Sequence, residues 1–214
     1  MDKTGVANLA IRKIGANRIS SFTDGSREGD LILDVYDAIR DEVLEAFPWS
    51  FATTTVPIQK LAIVPNSAVE NLTIAYGLPN DFIRPVAVSN IGATFKFESF
   101  KNPDNTMTKM ILSDMANLQL KYVFRNDDPS SYSPSFVTAF ATRLGAEIGF
   151  NIAQAAKKAQ LLLEEYENVR LPDAKSRDSG GTPEQPAQSE WETARLMGGG
   201  SFLDVGKLWI PINW

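Results

Sequence analysis

The stretch from Tyr36 to Ala52 constrains the architecture more than any other, because an amphipathic helix runs into Phe47-Pro48-Trp49 and must stop there. Leu31, Ile32, Val35, Tyr36, Ile39, Val43 and Phe47 recur at spacings of three and four and make one apolar stripe. Asp30, Asp34, Asp37, Arg40, Asp41 and Glu45 fall mostly opposite. Pro48 disfavours helical geometry in Phe47 and cannot donate the amide that a continuing helix needs. Trp49 and Phe51 must therefore begin an extended segment. The chain passes from helix to strand within four residues.

On either side of that point the periodicity differs. Residues 4 to 15 read as a short helix capped by Thr4, with Val6, Leu9, Ala10 and Ile14 on one face and Gly15 as its stop. Asp24-Gly25 makes a turn, and Ser26 caps a second helix from Arg27 to Phe47. From Trp49 to Asn126 the pattern is that of short strands: Thr53–Val56, Asn71–Tyr76, Phe82–Val88, Thr94–Glu98, Met110–Leu112 and Leu118–Phe124, with Asn102-Pro103-Asp104-Asn105 as a hairpin loop. In the last of these, Leu118, Leu120, Tyr122 and Phe124 alternate with Gln119, Lys121 and Val123, predicting one buried face. Helical period returns at Ser135, where Phe136, Phe140, Leu144, Ile148 and Ile152 are four apart. Gly145 and Gly149 on the same helix point to a close helix–helix approach, since glycine there costs about 1 kcal/mol against alanine. A fourth helix over 155 to 170 turns Ala155, Ala159, Leu162, Leu163, Tyr166 and Val169 inward.

The expected fold is α+β: a bundle of about four helices from residues 1–48 and 132–171, interrupted by an antiparallel β domain over 49–131. Beyond Leu171-Pro172 the composition turns to Ser, Gly, Pro and Gln, which predicts an extended arm over 172–214 with a short helical piece at Ser189–Met197. The arm ends in Phe202, Leu203, Leu208, Trp209, Ile210 and Trp214, too apolar for a plain solvated tail. These six residues are candidate docking groups for another chain; the alternative is that they pack back on this one.

No residue of the chain is histidine or cysteine, which removes the commonest general base, the thiolate nucleophile and the usual transition-metal ligands together. Neither a phosphate loop nor a dinucleotide fingerprint is present, so no catalytic, cofactor-binding or metal-binding residues are assigned. Carboxylate-pair glycoside hydrolysis is the main enzyme class left open. Its candidates, Asp37, Asp41, Glu42 and Glu45, and Glu164, Glu165 and Glu167, read more simply as solvated helix faces. A net charge of -5 argues against tight phosphate-backbone binding, and with it against a DNA-binding packaging factor. No apolar run is long enough for a membrane span, and no signal-like segment follows Met1.

Four motifs in order carry a resemblance. They are Ala10-Ile11-Arg12-Lys13-Ile14-Gly15 with Ile19-Ser20-Ser21 and Asp24-Gly25-Ser26; the helix from Tyr36 to Pro48-Trp49-Ser50-Phe51-Ala52; Tyr76-x-Leu78-Pro79-x-Asp81-Phe82-x-Arg84; and the passage from Tyr122 to Phe140. Over residues 3 to 170 the chain resembles tail tubular protein A, the head-to-tail adaptor family of short-tailed phages. The region after Pro172 has no counterpart in that resemblance. The family implies a helical bundle with an inserted β domain and a closed, usually dodecameric ring. That ring lies between the portal and the tail nozzle and passes double-stranded DNA without binding it specifically. It implies a structural, non-enzymatic virion protein assembled in the host cytoplasm; a tail-associated glycan hydrolase is the alternative. Phe47, Pro48, Trp49 and Phe51 are then the bundle/β-domain junction, with Trp49 and Phe51 expected to pack between the two parts.

Overall fold

Three helices begin by the same device, a side-chain oxygen that accepts the amide of the third residue on. Asp2 accepts from Gly5 N at 2.8 Å, Ser26 from Gly29 N at 3.1 Å and Ser133 from Phe136 N at 3.3 Å. The cap of the first helix is therefore Asp2 and not Thr4, because the carboxylate lies one turn before the first apolar residue. The computed structural model describes residues 1–62, 72–89, 94–101, 105–151 and 156–180, with the backbone of 209–211. It divides into two units, one of Met1–Thr53 with Val123–Thr182 and one of Thr54–Tyr122 with Pro183–Trp214.

The first unit contains α1 (Lys3–Ile14), α2 (Arg27–Glu45), α3 (Pro134–Phe150), α4 (Ala156–Glu165) and α5 (Leu171–Ser179). Helix α1 stops at Gly15, whose φ of 79° is left-handed and whose amide returns to Arg12 and Ile11 carbonyls. Asn8 then pins the connection to α2: its side chain both donates to Ile19 O and accepts from Ile19 N, each at 3.0 Å. Helix α3 is the centre, packed against α1, α2, α4 and α5. Phe136, Phe140, Leu144 and Ile148 are buried along it. Gly145 and Gly149 do permit close approach. A Cβ on Gly145 would stand 3.1 Å from Ala10 O of α1, and one on Gly149 would stand 3.0 Å from the Ala159 Cβ of α4. Ile152 and Ala155 lie outside the described residues.

Helix α4 does not end the bundle. Tyr166–Arg170 form a π turn, and Leu171 N–H bonds back to Tyr166 O, five residues earlier. The wide turn relieves the contact that Pro172 would make with the preceding turn, and Pro172 sits in the first turn of α5, where its missing N–H is harmless. The helix expected to break at Leu171-Pro172 thus continues to Ser179, with Ala174 fully buried, and 172–179 is bundle and not arm. The same turn shifts the register by one residue. Ala159, Leu162 and Tyr166 face inward as expected, but Val169 is exposed.

The second unit is formed by two small antiparallel sheets, so the chain is α+β. The strands are β1 (Thr53–Pro57), β2 (Ile74–Gly77), β3 (Phe82–Ser89), β4 (Phe95–Lys101), β5 (Met107–Ser113), β6 (Gln119–Phe124) and β7 (Trp209–Pro211). One sheet has the order β1-β6-β3-β7 and the other β2-β5-β4. Strands β4 and β5 form the expected hairpin from Phe95↔Ser113 to Lys101↔Met107, and Asn105 takes a φ of 66° in its loop. Leu72, Ala75, Met110 and Leu112 make a buried cluster, with Leu61 and Phe100 against it. On β6, Leu120 and Tyr122 are buried as the alternation predicts, but so is Val123.

Candidate functional sites

The turn after α2 is built around Trp49. Its indole is fully buried and donates to Val43 O at 2.9 Å, so the tryptophan satisfies a carbonyl of the helix that it ends. The Phe136 ring stands 5.0 Å from Trp49 and 4.9 Å from Phe51, in both cases edge-on, the favourable arrangement for two quadrupoles. Phe47 meets Trp49 edge-on at 5.2 Å, and Tyr132 meets Phe51 at 5.4 Å. Phe47, Pro48 and Phe51 are half-buried. The rings that hold Trp49 and Phe51 are thus those of the helical unit itself. Within that unit the cluster is closed by Phe136, and the indole folds back on α2.

Arg40, which periodicity places on the polar face of α2, is buried. Its side chain is 3% exposed. It donates to Asp37 Oδ1 at 2.8 Å and to Asp41 Oδ1 at 2.8 and 3.0 Å, and is also paired with Asp127. Arg125 adds a bond to Asp41 Oδ2 at 2.8 Å. Burial lowers the Arg40 pKa, but Asp41, Asp37 and Asp127 outweigh it and the net direction is up. The arrangement fixes α2 to the segment before α3. Glu42 similarly takes Arg143 of α3 at 2.8 and 3.0 Å. Asp37, Asp41 and Glu42 accept these bonds, and Asp37 and Glu42 remain exposed, as a solvated helix face does. The spacing is consistent with the burial of Arg40, which follows Tyr36 by one helical turn.

A cavity of about 610 Å³ in the helical unit is lined by Ser50, Ser133, Ser135, Thr138, Arg170, Asp173, Arg177 and Asp178, with Pro134. Two carboxylates in one cavity are what a glycan hydrolase would need. Here Arg177 Nε engages both oxygens of Asp173 at 2.9 and 3.0 Å. Ser50 engages both oxygens of Asp178, through N at 2.8 Å and Oγ at 2.9 Å. Asp178 is committed to holding α5 against the turn after Trp49, and Asp173 to an ion pair one turn along α5 itself. Among the described residues no group of three or more acidic side chains is placed to hold a metal ion.

In the β unit, the Tyr76–Arg84 motif closes a turn through Phe82 N to Pro79 O at 3.1 Å. Tyr76 Oη donates to Met115 O at 2.5 Å. Asp81 accepts from Tyr122 Oη at 2.9 Å, and the Phe82 and Tyr122 rings stack at 5.8 Å. Burial, and then the bond to Asp81, push the Tyr122 phenol up to about 12. Asp81 is thus held by a tyrosine of β6, 41 residues away in sequence.

Of the docking candidates, Phe202, Leu203, Leu208 and Trp214 lie outside the described residues, as does the expected helix at Ser189–Met197. The backbones of Trp209 and Ile210 belong to β7, antiparallel to β3 with Ala87↔Pro211, Val88↔Ile210 and Ser89↔Trp209. In the single chain this segment thus returns to its own β unit, which was the alternative to docking elsewhere. Neither protein-family models nor curated proteins give a match to this chain.

Proposed function

We propose that the protein is a non-enzymatic head-to-tail connector subunit of a short-tailed phage virion, of the tail tubular protein A type. It forms a ring, a dodecamer by that resemblance, between the portal and the tail nozzle, and double-stranded DNA passes through. The observation that carries the reading is the chain order: a helical unit, split in sequence by an antiparallel β unit, with Phe47-Pro48-Trp49 closing the outgoing helix and Pro134 opening the returning one. That order is what the resemblance implies for residues 3 to 170. An acidic chain of net charge -5 suits a wall that DNA must slide past, since like charges within a Debye length repel.

Molar mass measured for the protein alone and mixed with its portal tests the reading. A shift from a small species to a ring on mixing is expected; an unchanged mass at micromolar concentrations of both would sink it. Removal of the C-terminal arm supplies a second test. Truncation after Leu171 removes α5 from the bundle, so portal affinity has to be compared using a chain that ends after Gly180.

A further inference from the structure

Helix α5 is held to the helical unit by little buried surface. Of Leu171–Ser179 only Ala174 is buried, whereas α3 buries Phe136, Phe140, Leu144 and Ile148 along its length. Pro172, Asp173, Ser176, Arg177 and Ser179 are exposed. The Arg177–Asp173 pair and the bond from Ser179 Oγ to Lys175 O lie inside α5 and stiffen it without attaching it. Nine helical residues with so small an apolar contact depend on what fastens their two ends.

The near end is the π turn at Tyr166–Arg170, where the helix changes register. Tyr166 is buried there, while Val169 is exposed. The far end is Asp178, whose two oxygens accept Ser50 N and Ser50 Oγ at 2.8 and 2.9 Å. Between the ends lies the cavity of about 610 Å³, with Ser133, Pro134, Ser135 and Thr138 of α3 on one side and Arg170, Asp173 and Arg177 on the other. A well-packed interior leaves few voids larger than a water, so α5 stands off the first turns of α3 instead of interlocking with them.

The far end has a second role. Ser50 opens the 3-10 turn Ser50–Ala52, and Trp49 before it makes no side-chain cap bond. Asp178, 128 residues away in sequence, supplies the missing acceptor. Release of α5 therefore also uncaps the turn that leads from α2 toward β1.

We propose that α5 is a strap, hinged at the π turn and clasped by Asp178 on Ser50, which opens as one piece while the rest of the helical unit stays folded. Opening replaces the cavity by a free face of α3 bearing Ser133, Ser135 and Thr138, and loosens the Ser50–Ala52 turn in the same event. All parts of the device lie in the helical unit, so it stands whether or not the chain is a connector.

Residue-resolved amide hydrogen exchange on the full-length protein tests the strap. The amides of Ala174–Asp178 are expected to exchange as a group, at least ~100-fold less protected than those of Phe140–Leu144 in α3. Asp178→Ala opens the clasp and should lower protection about tenfold in α5 and at Ala52, whose amide bonds to Trp49 O, with Phe140–Leu144 unchanged. Protection of α5 equal to that of α3, or α5 protection unmoved by Asp178→Ala, would overturn the strap; α5 loosened with Ala52 unmoved would overturn its coupling to the turn. If Asp178→Ala loosens α3 as well, Ser50→Ala, which removes only the Oγ bond, decides. A smaller loss confined to α5 and Ala52 supports the strap, and an equal loss in α3 overturns it.

Discussion

The helical and β units solve the problem of closing a core in opposite ways. In the helical unit, α3 is surrounded by other helices, and its buried polar groups are tied across the sequence, as Arg143 is to Glu42 and Arg40 to Asp127. In the β unit, two small sheets each keep edges, and one edge is finished by three residues from the end of the chain. A central helix has no edge to finish, whereas an open sheet has two. The difference is one of closure: the helical unit completes its core around a central helix, and the β unit finishes an edge with a strand from far along the chain.

Four measurements break or sharpen that contrast. The largest effect is expected from Trp49→Ala, which empties a fully buried site and strips Val43 O of its donor; it should cost ~3–5 kcal/mol in urea unfolding followed by helical signal. A loss below ~1 kcal/mol would mean that the aromatic cluster does not close the helical unit. Next come two truncations read by thermal melting. Ending the chain after Leu171 should cost ~2–3 kcal/mol, because Ala174 and the Ser50–Asp178 bonds are lost. Ending it after Gly180 should leave helical melting within ~0.5 kcal/mol and change only amide exchange along Ala87–Ser89. Equal losses in the two truncations would erase the distinction between closed helical core and finished edge.

Gly145→Ala comes third, at ~1–2 kcal/mol, since its Cβ would press on the backbone carbonyl of Ala10, which cannot swing aside like a side chain. A stabilised variant would show that α1 and α3 are not in tight contact. The smallest effect is on the alkaline side. Tyr122 in the β unit and Tyr166 in the helical unit are both pushed up to about 12, first by burial. Their folded pKa lies above the ordinary 10.0, so the stability that comes from the neutral phenols is complete below pH 10 and lost as pH rises toward 12. In Asp81→Asn the Tyr122 titration, followed by NMR of labelled tyrosine, should fall toward 10; an unmoved titration would mean that the Asp81 bond does not contribute to the shift.

Much of this was legible in local sequence. The stripe through Ile32, Tyr36, Ile39 and Val43, the cap at Ser26, the stop at Gly15 and the six strands between Thr53 and Phe124 follow from periodicity and from single residues with narrow backbone preferences. Pro172 shows the limit of that reasoning. A proline reads as a helix stop, but five residues of π geometry turned it into the start of α5, and the boundary of the bundle moved with it. The same π turn carries Val169 from the inward face to solvent.

The candidate sites were less legible because they depend on partners far away in sequence. Arg40 reads as a surface charge until Asp127 arrives beside it, and Asp178 as part of an arm until Ser50 binds it. Sequence alone determined that the chain alternates helix, strand and helix, that Phe47-Pro48-Trp49 ends α2, and that histidine and cysteine chemistry is absent. Only the tertiary structure decided where Trp49 packs, which charges are buried, and that the Trp209–Pro211 strand lies on β3. The physical reason is the range of the forces: backbone preference and amphipathic period act within one turn or one pleat, while ring packing, ion pairing and sheet edges join residues that only the folded chain brings together.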